Sequence, residues 1–295
     1  LALASAFACS STTSGTTKLE GTGGGAGSTG LGGDTSSTGG TSSGGTGATG
    51  GTVSEGGAAG SGTGGGAPLV GCAGIERPAG VLEADFTCVD FEDGLPTDGW
   101  AQKVSGSGTV GVTTDVAESA PQSFQAFVAD VDTVQSAGIE WSVVGADPVK
   151  VAGVRASINP KGWLSLGPKW GNGISLLCVS FGSGQACLSH TRGGAIDGAE
   201  YTGYYIYYEY SGGPAYAGTC PISGELDVNL WNDVTLEFDD SADIAVTING
   251  EEQEPCSGGN LASTTATVLV GVDNVSGQDE NATIRYDNVS AWVQR

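Results

Sequence analysis

Residues 10–67 consist almost entirely of Gly, Ser, Thr and Ala, and this tract bounds what the chain can fold into. Without bulky apolar side chains it cannot bury enough surface to offset the entropy of ordering its backbone. Residues 10–67 are therefore expected to be a disordered low-complexity linker, and folding is confined to residues 68–295. As a flexible coil the linker would hold its ends on the order of 40 Å apart. The remaining length suits one medium-sized domain around a single core.

Ahead of the linker, residues 1–9 form a short apolar run with small residues that ends at Cys9, the pattern of the end of a secretory signal. It is too short to span a bilayer. The run resembles a bacterial lipobox, and the resemblance implies lipidation of Cys9 and a lipid anchor in a membrane. The other cysteines, Cys72, Cys88, Cys178, Cys187, Cys220 and Cys256, are an even set in an exported context, which is what a disulfide framework needs. Sequence proximity favours Cys72 with Cys88 and Cys178 with Cys187, leaving Cys220 for Cys256. Structural zinc is disfavoured because no C-x-x-C pair occurs and His190 is the sole histidine. A formal charge of −23, from 10 Lys and Arg against 33 Asp and Glu, argues against nucleic acid as a partner.

From Pro68 onward, short apolar or alternating runs are punctuated by Gly, Asn, Asp and Pro. Strands are expected at 108–112, 123–128, 139–144, 150–158, 173–181, 204–210, 233–238, 244–248, 267–272 and 283–293, with no sustained helical period. About ten strands over this length fit an all-β, two-sheet antiparallel sandwich. The runs at 89–94, 230–236 and 243–250, with Trp100 and with Tyr286, Asp287, Asn288 and Val289 near the end, resemble in their order a concanavalin A-like or laminin G-like jelly roll. That resemblance implies that the first and last strands lie side by side. It also implies a structural calcium ion held by Glu92 and Asp287, with Asp90 and Asp93 as helpers. The competing reading gives the acids of the turn a capping role and Asp287 the role of accepting backbone hydrogen bonds.

Three constellations bear on function. In the tyrosine-rich run, period 2 puts Tyr204, Ile206, Tyr208 and Tyr210 on one face and Tyr205, Tyr207 and Glu209 on the other. One face should be core. The other could present flat rings beside a carboxylate, a surface on which sugar rings stack, with Trp163 and Trp170 at its rim. Glu225 and Asp227 begin a Glu-x-Asp-x-x-Glu pattern of jelly-roll glycosidases, but Leu230 stands in the last position, so the pair reads as a loop before a strand. His190, Arg192 and the tyrosines are the candidate set for a polysaccharide lyase, and no lyase-like strand motif accompanies them.

The sequence thus points to an exported protein, lipid-anchored at an outer membrane or cell surface, whose jelly roll binds a glycan or serves adhesion. It is expected not to be an enzyme. The alternatives are a carbohydrate-active hydrolase or lyase on the same fold, and a purely structural envelope protein.

Overall fold

The computed structural model describes residues 71–129, 135–160, 174–196, 199–210, 216–257, 262–275 and 281–295. Cys9, the 10–67 linker, Trp163 and Trp170 lie outside the described residues. Two short 3-10 turns, Gly71–Gly74 and Glu83–Asp85, precede the strands. The first eight strands are β1 (Phe86–Val89), β2 (Trp100–Ser105), β3 (Thr109–Thr113), β4 (Ser123–Val128), β5 (Gln135–Val144), β6 (Val151–Asn159), β7 (Ile174–Phe181) and β8 (Gly184–Ile196). They are followed by β9 (Ala199–Tyr210), β10 (Tyr216–Pro221), β11 (Asn232–Asp239), β12 (Asp243–Ile248), β13 (Glu251–Glu252), β14 (Cys256–Ser257), β15 (Thr265–Val275) and β16 (Ala282–Gln294).

These strands build two antiparallel sheets, and the chain is an all-β jelly-roll sandwich. The nine-stranded sheet has the order β13-β12-β11-β6-β16-β4-β3, with β1 beside β16 and β14 beside β12. The seven-stranded sheet runs β10-β9-β8-β7-β15-β5-β2. As the jelly-roll resemblance implied, the first strand pairs with the last: Phe86 lies opposite Trp292 and Val89 opposite Val289. On that same edge of β16, residues 282–286 pair with β4.

Alternation creates the inward faces. Along β11, Val234, Leu236 and Phe238 enter the core while Asp233, Thr235 and Glu237 point away from it. Between the sheets, Phe238 meets Phe181 with ring centroids 4.9 Å apart and Tyr210 at 6.4 Å. The fully buried Tyr286 of β16 donates its hydroxyl to the carbonyl of Gly271 on β15 at 2.9 Å, so the polar tip of a core ring is satisfied by the opposite sheet. Each large apolar side chain fully withdrawn from water contributes about 1.5–3 kcal/mol.

All three expected disulfides are present. Cys72–Cys88 ties the first 3-10 turn to β1, Cys178–Cys187 joins neighbouring strands β7 and β8, and Cys220–Cys256 links β10 of one sheet to β14 of the other. Three such bonds mark a protein matured in an oxidising, exported setting. Among the described residues no helix is long and apolar enough to cross a membrane.

Candidate functional site

The tyrosine-rich strand β9 divides as its period requires. Tyr204, Ile206, Tyr208 and Tyr210 belong to the core between the sheets, so Tyr205, Tyr207 and Glu209 lie on the outer face of the seven-stranded sheet. Pairing register extends this face across the strands. In the central row, Tyr207 is opposite Cys187, Cys187 opposite Cys178, Cys178 opposite Leu269, and Leu269 opposite Glu140. Tyr207 and Glu140 are thus four strand spacings apart, about 19 Å.

On one side of this row stand Glu209, Gln185, Ser180, Thr267 and Ser142, each the pairing partner of the next. On the other stand Tyr205, Ser189, Ser175 and Asp273. An apolar stripe of ring, disulfide and Leu269 therefore runs between two rows rich in hydroxyls, amides and carboxylates. The β7–β8 hairpin that sets the stripe turns through only Gly182 and Ser183. Gly182 has φ +63°, a conformation that suits glycine at the first central position of such a turn.

Access varies along the face. Cys178 and Cys187 are each 2% exposed and Leu269 5%, and together they form a small apolar cluster separate from the main core. Tyr207, Gln185, Ser180 and Thr267 are half-buried, and Glu209 and Ser142 are exposed. The expectation of two exposed rings is therefore corrected: Tyr205 is only 9% exposed, and Tyr207 is the accessible one. Burial raises the Tyr205 hydroxyl above the ordinary phenol range, partly offset by its hydrogen bond with Ser189. The Tyr207 hydroxyl donates to Glu209 Oε2 at 2.9 Å. Desolvation, then that hydrogen bond and the charge of Glu209, push it up to about 12, so it is a neutral donor at physiological pH.

At the far flank, Lys103 Nζ lies 3.9 Å from Glu140 and 3.6 Å from Asp273. One ammonium thus holds two carboxylates from different strands within 4 Å of itself. No sequence pattern marks this trio, because its members come from β2, β5 and β15. Ser142 and Thr267 share a 3.0 Å hydrogen bond nearby, as do Ser175 and Ser189 at the same distance.

Other candidate residues lie elsewhere. His190 faces the interior, its ring edge-on to Tyr204 at 4.6 Å, so it does not join Tyr205 and Tyr207. The Arg192 side chain lies outside the described residues. Glu225 and Asp227 are exposed in the loop before β11, where Asp227 caps the N–H of Asn229 at 2.8 Å.

The four acids expected to hold calcium are not assembled for it: among the described residues no group of three or more His, Cys, Asp or Glu is arranged to hold a metal. Asp287, 0% exposed, accepts the N–H groups of Glu118, Ser119 and Asn288 at 2.9, 2.8 and 2.8 Å, and the Ser119 hydroxyl at 3.1 Å. With donors on both carboxylate oxygens, this environment does not fit calcium, which needs oxygen lone pairs. Asp90 caps the N–H of Glu92 at 3.4 Å, and the Glu92 carbonyl accepts from Gln122 at 3.3 Å.

No protein-family model matches the chain, and no curated protein matches it in sequence. Solved structures with a related arrangement include the cellulose-induced protein Cip1, 15% identical over 70% of this chain and 96% of that one, with a TM-score of 0.48. An endo-β-1,4-glucuronan lyase from the fungus Trichoderma reesei is 10% identical over 66% of this chain and 91% of that one, with a TM-score of 0.47. The alginate lyase AlyC3 is 9% identical over 59% of this chain and 75% of that one, with a TM-score of 0.39. The expectation that the chain is not an enzyme does not stand beside these structures, two of which are lyases by name.

Proposed function

We propose that the outer face of the seven-stranded sheet binds a polysaccharide. The observation that carries this reading is the accessible strip of that face, where the ring of Tyr207 stands beside the polar row of Glu209, Gln185, Ser180, Thr267 and Ser142 at the border of the buried stripe of Cys187, Cys178 and Leu269. A sugar ring has the same anisotropy, with C–H groups on its faces and hydroxyls around its rim. Tyr207 supplies a ring for stacking, and Glu209, Gln185 and Thr267 supply partners for hydroxyls. The accessible row from Glu209 to Ser142 crosses four strand spacings, about 19 Å, which is long enough for several sugar units in a row. Screening the full chain against immobilised glycans, with Tyr207→Ala alongside, tests the reading. Binding that survives this change undiminished would refute it.

A second reading, catalysis on the same bound chain, is favoured by Glu140 and Asp273 sharing Lys103. Glycoside hydrolysis uses a pair of carboxylates about 5–9.5 Å apart across the scissile bond. It predicts release of new reducing ends from a bound polysaccharide, lost in both Glu140→Gln and Asp273→Asn. Product formation unchanged in both variants would exclude this pair.

For placement, the reading is that Cys9 carries a lipid anchor and the low-complexity tract 10–67 spaces the domain from the cell surface. Cys9→Ala should move the protein from membrane to soluble fractions, and unchanged membrane retention would refute tethering at that residue.

A further inference from the structure

We infer that the polysaccharide suited to this face is a polycation, one bearing free amino sugars, and not a polyuronate; the inference rests on the carbohydrate-binding reading above. Its basis is the charge the face leaves to offer. Among the described side chains of the outer face, Lys103 is the one cation, and it is already held by Glu140 and Asp273. A uronate carboxylate arriving there would have to compete with two resident carboxylates for one ammonium. At the other end, Glu209 is exposed and is oriented by the hydroxyl of Tyr207, its pairing partners on β8 and β10 being the uncharged Gln185 and Ala217.

That pairing has a specific chemistry. A carboxylate fixed beside an accessible phenol ring offers an ammonium group both an ion pair and the negative face of an aromatic ring. The Tyr207 hydroxyl, pushed up to about 12 by desolvation and by Glu209, stays protonated and keeps the carboxylate in place. Glu140 and Asp273 together outnumber the charge of Lys103, so the far flank also carries net negative charge. A formal charge of −23 over the whole chain adds a long-range field that draws polycations in and repels polyanions. Each ammonium that pairs with a carboxylate, like each carboxylate kept from approaching another, is worth about fivefold in affinity in water at low salt.

The test compares three probes on the full chain at about pH 6, where ammonium groups and ordinary carboxylates are both charged: a glucosamine hexamer, an N-acetylglucosamine hexamer and a glucuronate hexamer. Titration calorimetry at about 0.02 M and about 0.3 M salt is run on the wild type and on Glu209→Gln, an exposed position whose change is checked by melting temperature. The expected result is glucosamine binding at least about fivefold tighter than N-acetylglucosamine at low salt, with most of that advantage lost at high salt and in Glu209→Gln. Equal affinity for the two, or glucuronate binding as tight as glucosamine, would overturn the charge inference while leaving carbohydrate binding intact. Failure of all three probes to bind would overturn it together with the reading beneath it.

Discussion

Asp287, near the middle of the last strand, accepts the backbone N–H groups of Glu118 and Ser119, which lie 169 and 168 residues earlier in the chain. The carboxylate replaces the backbone partners that this loop segment would otherwise need in a buried place. It also coincides with a break in the pairing of β16 with β6 between Asp287 and Ser290, where Asn288 takes φ +49°. Asp287→Ala should therefore cost about 2–4 kcal/mol in a urea unfolding experiment, because several buried donors lose their acceptor at once. A loss under about 1 kcal/mol would mean that water replaces the carboxylate without penalty.

The same geometry predicts how the fold responds to calcium. Since donors already occupy both carboxylate oxygens of Asp287, adding calcium or a chelator should leave the melting temperature unchanged to within about 1 °C. A rise of several degrees with calcium would show that Asp287 exchanges its N–H donors for a cation.

Glu118 next to this carboxylate gives a pH signature. Burial, and then the charges of Asp287 and Asp233, raise its carboxyl above the ordinary glutamate value. A raised folded-state value means that the contribution of this group is fully present below about pH 4.3 and is lost as pH rises through the folded value. Glu118→Gln removes the charge, so it should stabilise the protein at pH 7 by roughly 0.5 kcal/mol, a small figure because the group is half exposed and screened. The gain should vanish near pH 3, where both side chains are neutral. Melting curves across that range check it, and a variant less stable than wild type at pH 7 would contradict the assignment.

On the nine-stranded sheet, Trp292 lies across Gly153, its partner on β6, and bonds to the Glu237 side chain. A Cβ at Gly153 would collide with the indole of Trp292. Gly153→Ala should displace the ring, shift tryptophan fluorescence and destabilise by about 1–3 kcal/mol. An unchanged spectrum and stability would show that the indole moves aside freely.

The disulfides differ in the loops they close. Cys220–Cys256 spans 36 residues and joins the two sheets, whereas Cys178–Cys187 spans 9 and joins strands already paired. Chain-entropy arguments give about 4 kcal/mol for the first and about 2.5 kcal/mol for the second. Double Cys→Ser variants should rank in that order in denaturant unfolding, and a reversed order would mean that native packing around Cys178, Cys187 and Leu269 dominates.

Much of this architecture is legible in the sequence where alternation is strong. β11 and β12 bury every second residue, and the run of β12 into the Asn249–Gly250 turn marks a hairpin with β13. β2 is not legible, because only Trp100 of its six residues is buried and no alternation marks it. β8 is hidden by the glycines near its end and by a register shift between Thr191 and Gly194. The two faces of β9 follow from its period alone, so Tyr205, Tyr207 and Glu209 can be grouped. Their neighbours cannot: Glu140, Leu269 and Lys103 reach that face only through the strand order β9-β8-β7-β15-β5-β2, which is set by long-range pairing. Tyr205 shows a further limit, since period places a residue on a face and does not tell how much of it water reaches. The donors to Asp287 come from a loop far upstream, and they match the competing reading, in which Asp287 accepts backbone hydrogen bonds, over the calcium set that the jelly-roll resemblance implied.

The most direct test of the outer face is the affinity of the full chain for a glycan identified by array screening, measured for the wild type and for Tyr207→Ala at equal melting temperature. Loss of the stacking ring should weaken binding by about tenfold, or about 1.4 kcal/mol. Wild-type binding that the variant retains in full, or the absence of binding to any glycan, would contradict the assignment of this face to carbohydrate.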